Sequence, residues 1–110
     1  MGLFSSNESD AIKQINKMNS CIFQIRQMIR LTDDTIVSSN AGNIAIILNE
    51  CSGYYTKYEK IKSGMGSFNE SLFMGATVDC WNGERIGVFQ WEHYFKNTFH
   101  MLIEGIKSVS

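Results

Sequence analysis

Apolar residues recur at intervals of three and four along most of this 110-residue chain. Residues with this spacing lie on one side of an α-helix, so each run predicts an apolar stripe that packs against another helix, as in a coiled coil. The first stripe consists of Ala11, Ile15, Met18, Ile22, Ile25 and Ile29. The second consists of Ile44, Ile47, Cys51, Tyr54, Tyr58, Ile61 and Met65. The third consists of Phe95, Phe99, Leu102, Ile106 and Val109. We therefore expect an all-α fold, a bundle or hairpin of three to four helices, two of them long.

Polar residues predict where the first helix begins and ends. We expect residues 1–8 to fray and the first helix to run to about Leu31, with Ser6 or Ser9 as its N-cap. Residues 32–35, Thr-Asp-Asp-Thr, favour a break because short polar side chains compete for backbone hydrogen bonds. The stripe spacing also fits one continuous helix through this segment.

Glycine and serine residues predict the next boundaries. A second helix should begin in residues 38–40 and end at about Lys62, before a Ser-Gly-Met-Gly segment that favours a C-terminal cap. Ser67 and Glu70 have the spacing of a capping box, which predicts a short third helix. The whole chain has the length of a single domain.

The Asn82-Gly83 dipeptide marks a turn late in the chain. Helical patterns on both sides predict a helix–turn–helix corner at residues 81–83, followed by a last helix from about Glu84 to Ser108. Strand is the competing interpretation for residues 76–80 and 86–91. The corner interpretation gives Trp81 a structural role, because a large ring fills the gap between two helices.

Composition narrows the classes of function. The chain has no proline, a formal net charge of −1 and no basic cluster, so we expect no nucleic-acid partner. The longest apolar run, residues 44–48, is far shorter than a membrane span, and the N-terminus does not resemble a secretory signal peptide. We expect a cytoplasmic protein; if it is exported, it leaves without a cleaved signal.

The three cysteines, Cys21, Cys51 and Cys80, form no C-x-x-C motif. We interpret them as reduced and structural, which agrees with a cytoplasmic site of synthesis. Their odd number leaves an intermolecular disulfide open as an alternative.

No combination of residues predicts catalysis or a bound cofactor. His93 and His100 are seven positions apart, wider than the three or four of metal-binding pairs on a helix. Cys80 and His93 would be too far apart for a nucleophile and its base. Asp33 and Asp34 point in different directions on a helix and suit a turn. We expect no catalytic residue, no metal and no cofactor.

The Trp81-x-Gly83 motif, with Phe89 eight positions after the tryptophan, resembles the W-x-G helical-hairpin proteins of type VII secretion systems and the accessory helical proteins of type VII toxins. The resemblance covers residues 67–107 at most. It implies that Trp81 and Gly83 form the corner and that Phe89 packs beside it. In that family an aromatic residue, three further residues and an acid after the corner serve as the export signal. Here that spacing occurs only upstream, in Tyr55 and Glu59.

Aromatic residues on the second and last helices are candidates for a binding surface, with core burial as the alternative. They are Tyr54, Tyr55, Tyr58, Trp91, Tyr94, Phe95 and Phe99. We therefore expect a non-enzymatic protein-binding module whose partner is another protein chain or a second copy of itself. The resemblance implies an accessory, chaperone-like role toward the helical segment of a type VII toxin or a small helical sibling. The alternative is an immunity or inhibitor protein that neutralises a toxin.

Overall fold

A computed structural model describes residues 6–29, 36 and 38–109, and confirms the all-α fold class. Its helices are α1 (Ser6–Met28), α2 (Ser38–Ser63), α3 (Ser67–Met74) and α4 (Val88–Val109). Two three-residue strands, β1 (Thr77–Asp79) and β2 (Arg85–Gly87), lie between α3 and α4. The predicted break at residues 32–35 lies outside the described residues.

The first two helices form an antiparallel hairpin that carries most of the core. The Asn40 side-chain amide donates to the Met28 carbonyl at 2.8 Å, which places the start of α2 beside the end of α1. Every residue of the first stripe is buried. The contact between α1 and α2 is the most extensive contact between any two elements. From α2, the residues that complete this core are Ile44, Leu48, Cys51 and Tyr58. The molecule is elongated along these helices, with extents of 46 × 24 × 20 Å.

Aromatic rings join α4 to this hairpin. Trp91 and Phe95 are buried and stack with ring centres 5.1 Å apart. The Tyr58 ring of α2 meets Trp91 edge-on at 5.8 Å, and Tyr55 stacks on Phe95 at 5.4 Å. Offset and edge-to-face rings at these separations stabilise a core beyond their buried area. The first half of α4 is therefore held by rings that fill the space between helices.

The prediction of a helix–turn–helix corner at residues 81–83 is wrong, because this segment is the turn of a β-hairpin. Thr77, Val78 and Asp79 pair in antiparallel register with residues 85–87. Below the turn, the Cys80 amide donates to the Glu84 carbonyl at 2.8 Å, and the Asn82 side-chain oxygen accepts from the Glu84 amide at 3.0 Å. The strand alternative is thus correct for part of each proposed segment. The last helix consequently begins at Val88, later than predicted.

Two further boundaries differ from the prediction. Helix α1 begins at Ser6, inside the stretch expected to fray, and ends at Met28. Helix α3 begins at Ser67 as expected, but its N-cap is Gly66 and no side chain caps it, so the predicted capping box is absent. The Ser67 side chain belongs to the first helical residue, which is one position too late for a cap.

Two glycines have opposite effects on stability: the turn at Gly83 needs glycine, whereas the helix at Gly53 is weakened by it. Gly83 has φ +88°, whereas Gly53 lies inside α2, and nothing lies within 4 Å of the position of an added Cβ at either site. We expect Gly83→Ala to lower the free energy of unfolding by about 1–2 kcal/mol, because L-residues are strained at positive φ. We expect Gly53→Ala to raise it by about 0.5–1 kcal/mol through helix propensity.

Urea unfolding followed by circular dichroism measures both changes. Two alanine variants that change stability in the same direction would contradict the backbone explanation, since neither methyl group meets a neighbouring atom.

Candidate protein-interaction surface

An apolar groove runs between the outer sides of α2 and α4, and we call it the α2–α4 groove. It consists of two adjoining depressions, and Phe99 and Ile103 line both of them. The wall from α2 consists of Ala45, Leu48, Asn49, Ser52 and Tyr55. The wall from α4 consists of Phe95, Lys96, Phe99, His100, Ile103, Glu104, Ile106 and Lys107.

The sequence of α2 explains its wall. Ala45, Asn49 and Ser52 are three or four positions apart and therefore share one side of the helix. Their short side chains leave the depression open. Residues 38–49 contain no charged side chain, and Ile46, beside this wall, is 61% exposed. An uncharged helical face that exposes a large aliphatic side chain is typical of a surface that contacts another protein.

The wall from α4 combines an apolar base with a charged edge. Phe99 and Ile103 are half-buried and pack against the core. Above them, the Lys107 ammonium lies 3.5 Å from the Glu104 carboxylate, and both side chains are more than half exposed. Protein interfaces commonly have such an apolar centre and a polar rim.

A buried carboxylate fixes α4 to α2 at one end of the groove. Glu92 is 8% exposed, and its Oε2 accepts hydrogen bonds from the Tyr58 hydroxyl at 2.9 Å and the Lys62 ammonium at 2.8 Å. The Lys96 ammonium lies 3.3 Å from Oε1. Charge-assisted hydrogen bonds of this kind are stronger than neutral ones and hold their partners in one geometry.

The same contacts determine the ionisation of the cluster. Burial alone would raise the pKa of Glu92, but the hydrogen bonds from Lys62 and Tyr58 and the Lys62 charge outweigh burial and hold that pKa below its usual value. Burial, followed by the Glu92 charge, raises the pKa of Tyr58, so its hydroxyl stays protonated and remains a donor. The cluster is thus a carboxylate held by donors, an arrangement that stabilises α4 and leaves no vacant base.

Asn19 joins three elements on the other side of α4. Its Oδ1 accepts a hydrogen bond from the Trp91 indole nitrogen at 2.7 Å, and its amide nitrogen donates to the Asp79 carbonyl. Helix α1, the hairpin and α4 therefore meet at one amide. Sequence analysis missed both Asn19 and Glu92. For Glu92 a signal existed, since it lies four positions after Val88 and three before Phe95, on the buried side of α4.

The seven aromatic candidates separate into core and surface. Tyr58, Trp91 and Phe95 are buried, so the core interpretation is correct for them, although the Phe95 ring forms part of the groove. Tyr55 and Phe99 line the groove directly. The remaining two lie elsewhere: Tyr54 packs near the Lys17 ammonium, 5.4 Å from the ring centre, and Tyr94 is exposed and accepts a hydrogen bond from Gln90 at 2.8 Å.

The three residues of the W-x-G resemblance do not form one packed corner. Trp81 is half-buried beside Asn19 and Phe23, in a shallow cleft between the hairpin and α1. Gly83 supplies the positive φ of the turn, as expected of it. Phe89 is 73% exposed on the outer side of α4, so it does not serve as the packing aromatic.

The residues considered for catalysis or metal binding remain apart. His93 and His100 are exposed on α4, and His93 Nε2 lies 3.4 Å from the Asn97 amide nitrogen. Within residues 6–29, 36 and 38–109, no three histidine, cysteine or acidic side chains gather as metal ligands. Burial raises the pKa of the Cys80 thiol, which makes it a weak nucleophile. Asp33 and Asp34 lie outside the described residues.

Comparisons with models of protein families, with curated proteins and with solved structures find no match to this chain. In the part of the chain that the structure describes, no helix combines the length and apolar character needed to cross a membrane.

The Glu92 cluster gives a pH-dependent prediction. We expect Glu92→Gln to lower the free energy of unfolding by about 2–3 kcal/mol at neutral pH, because it removes the nearer of the two carboxylates that pair with the nearly buried Lys62. The folded-state pKa of Glu92 lies below its usual value of 4.5. Its contribution is therefore complete above about pH 4.5 and is lost as the pH falls through the lower folded-state value.

Denaturant unfolding of the unaltered protein and of the Glu92→Gln variant at several pH values measures the difference between their free energies of unfolding. This difference should narrow in acid. The matched control is Glu104→Gln, which removes an exposed carboxylate paired with exposed Lys107 and should change stability by less than about 0.5 kcal/mol. Equal effects of the two substitutions, or a Glu92→Gln difference that stays constant into acid, would show that the cluster does not couple α2 to α4.

Proposed function

We propose that this chain is a non-enzymatic protein-binding module that receives an amphipathic helix of another protein in the α2–α4 groove. The observation that carries the proposal is the groove itself, with its apolar base, its uncharged α2 wall and its polar α4 edge. Helix-in-groove binding is a common way in which small helical domains recognise partners.

The dimensions of the groove suit a helix. From Ala45 to Tyr55 the α2 wall advances by ten residue steps, which at 1.5 Å per step corresponds to about 15 Å, or nearly three helical turns. A partner helix of that length presents two or three apolar side chains at intervals of three and four. The short side chains of Ala45 and Ser52 would let its backbone approach α2 closely.

The energetic basis is burial of surface that the isolated chain leaves in water. Phe99, Ile103 and Ile106 are each half-buried, and Ile46 extends the apolar surface beyond the wall. Complete burial of one such side chain contributes about 1.5–3 kcal/mol relative to exposure, so covering half of it contributes about 1 kcal/mol. Several such contacts at the centre of an interface account for useful affinity even after the cost of association.

The identity of the partner is a narrower proposal. The W-x-G resemblance implies a type VII toxin's N-terminal helical segment or a small helical sibling, met in the cytoplasm in an accessory role. Small size and helical content support this proposal, whereas the β-hairpin at Trp81 and Gly83 departs from that family's helical corner. A second copy of this chain is the other partner that the groove would suit.

Substitution at the base of the groove should weaken partner binding without unfolding the protein. We expect Ile103→Glu to lower the yield of a partner complex at least about tenfold, since it places a charge against an apolar contact. Its own stability should fall by less than about 1.5 kcal/mol, because Ile103 is only half-buried. The measurement uses a photo-crosslinking phenylalanine analogue in place of Phe99, introduced into the full chain in the cells that make it.

The matched control places the same analogue at Asn97, which is exposed on α4 and does not line the groove. The proposal predicts a discrete adduct from the analogue at position 99. Ile103→Glu should remove this adduct, and the analogue at position 97 should not form it. The mass of the adduct distinguishes a second copy of this chain from another protein. An adduct that survives Ile103→Glu, or one that forms only from an analogue at the exposed Phe89, would contradict it.

A further inference from the structure

Cys21 and Cys51 lie at the same level of the α1–α2 hairpin. The Lys17 ammonium lies 5.4 Å from the centre of the Tyr54 ring, which places these two residues opposite each other. In an antiparallel pair, a step of four residues along α1 from Lys17 corresponds to a step back of three or four along α2 from Tyr54. That step reaches Cys21 on α1 and residues 50–51 on α2, and of these two it is Cys51 that is buried.

Both thiols face the interface between the helices. Cys21 is 4% exposed and Cys51 is fully buried, and their side chains are hydrogen-bond partners. Burial raises the pKa of both thiols, but the hydrogen bond from Cys51 favours the Cys21 thiolate and opposes that of Cys51. Cys21 is the thiol nearer to solvent and is therefore the one that an oxidant reaches first.

We propose that Cys21 and Cys51 are a redox-active pair that closes to a disulfide between α1 and α2 when the protein meets a peroxide. This inference does not depend on the α2–α4 groove or on any partner. It extends the interpretation of the cysteines as reduced and structural, which holds for a reducing compartment.

The chemistry needs two thiols and one peroxide molecule. The Cys21 thiolate attacks one oxygen of hydrogen peroxide, the O–O bond breaks, and the products are Cys21 sulfenic acid and, after proton uptake, water. The Cys51 sulfur then attacks the Cys21 sulfur, the S–O bond breaks, and the departing hydroxide leaves as water with the Cys51 proton. In total, two thiols are oxidised to one disulfide while one peroxide is reduced to two waters. While they are buried, both thiols have raised pKa values and are weak nucleophiles, as Cys80 is. The Cys21 thiolate therefore forms only when the helices separate locally and water enters, so the rate depends on that opening.

The structural consequence is a covalent link across the largest helix contact of the protein. The two cysteines are 30 positions apart (51 − 21), and they enclose the connection between α1 and α2. A link over this separation lowers the conformational entropy of the unfolded chain and thereby stabilises the folded protein. Cys80 provides an internal comparison, because it is buried under the hairpin, away from the α1–α2 interface.

The test treats the purified, reduced full-length protein with hydrogen peroxide and maps its disulfides by mass spectrometry after trypsin digestion without reduction. Cleavage after lysine and arginine separates the three cysteines into residues 18–26, 31–57 and 63–85. We expect a linked pair of peptides 18–26 and 31–57, with a loss of two hydrogen atoms. We also expect the midpoint of thermal unfolding to rise by about 10 °C on oxidation and to return on reduction.

Matched variants make the result specific. Cys80→Ser should keep both the link and the thermal shift, whereas Cys21→Ser and Cys51→Ala should lose both. Because Cys51→Ala opens a space in the core, its reduced form is checked by circular dichroism, and Cys21→Ser, at the edge, serves as the second variant. Oxidation of Cys21 to sulfinic acid without linkage, a link that involves Cys80, or a lower unfolding midpoint after linkage would overturn the proposal.

Discussion

The indole of Trp91 is the point on which the arrangement of the helices depends. Its ring stacks on Phe95 and meets the Tyr58 ring edge-on, while its nitrogen donates to Asn19. Through Asn19 the same contact reaches the backbone of the hairpin at Asp79. A fully buried ring with its one polar atom satisfied combines a large apolar contact with a directional bond. Trp91 thus fixes where α4 lies on the α1–α2 hairpin.

The groove follows from this way of joining helices. Aromatic rings occupy the space between α2 and the first half of α4, where Phe95 stacks on Tyr55. Further along, α4 presents Phe99, Ile103 and Ile106, while α2 presents Ala45 and Ser52, whose short side chains do not fill the same width. The depression is therefore the space that remains once large residues have set the separation of the two helices. Its shape depends on the core, to which Leu48 and Phe95 belong, while Phe99, Ile103 and Ile106 pack against that core from outside.

Helical periodicity explains what could be predicted from the sequence. The α1 stripe repeats over six positions, and all six are buried, because a long helix repeats its signal at every turn. Strands of three residues give no such repeat, so the sequence favoured a helix over Thr77–Asp79 and left strand as the alternative. Periodicity places Tyr58 in the second stripe and Tyr55 outside it, but it cannot predict what covers either ring. Only the position of α4 decides that one ring is fully buried and the other lines a groove.

Glu92 was missed for a different reason. A charged residue is ordinarily assigned to the solvent side of a helix, and its burial becomes reasonable only when Tyr58 and Lys62 are known to supply donors. Those donors are 34 and 30 residues away along the chain, so local sequence carries no trace of them. Long-range contacts of this kind decide which of the apolar or polar residues on a helix are buried and hold the helix in place.

The unequal charge of the two groove walls has a kinetic consequence. Residues 38–49 of α2 carry no charge, whereas the opposite edge carries Lys96, Glu104 and Lys107. Among the residues that line the groove, those of the α4 edge therefore supply the charge for long-range electrostatic steering of an incoming chain. Added salt would alter how often a partner arrives in the correct orientation, while the lifetime of the complex would depend on the fit against α2.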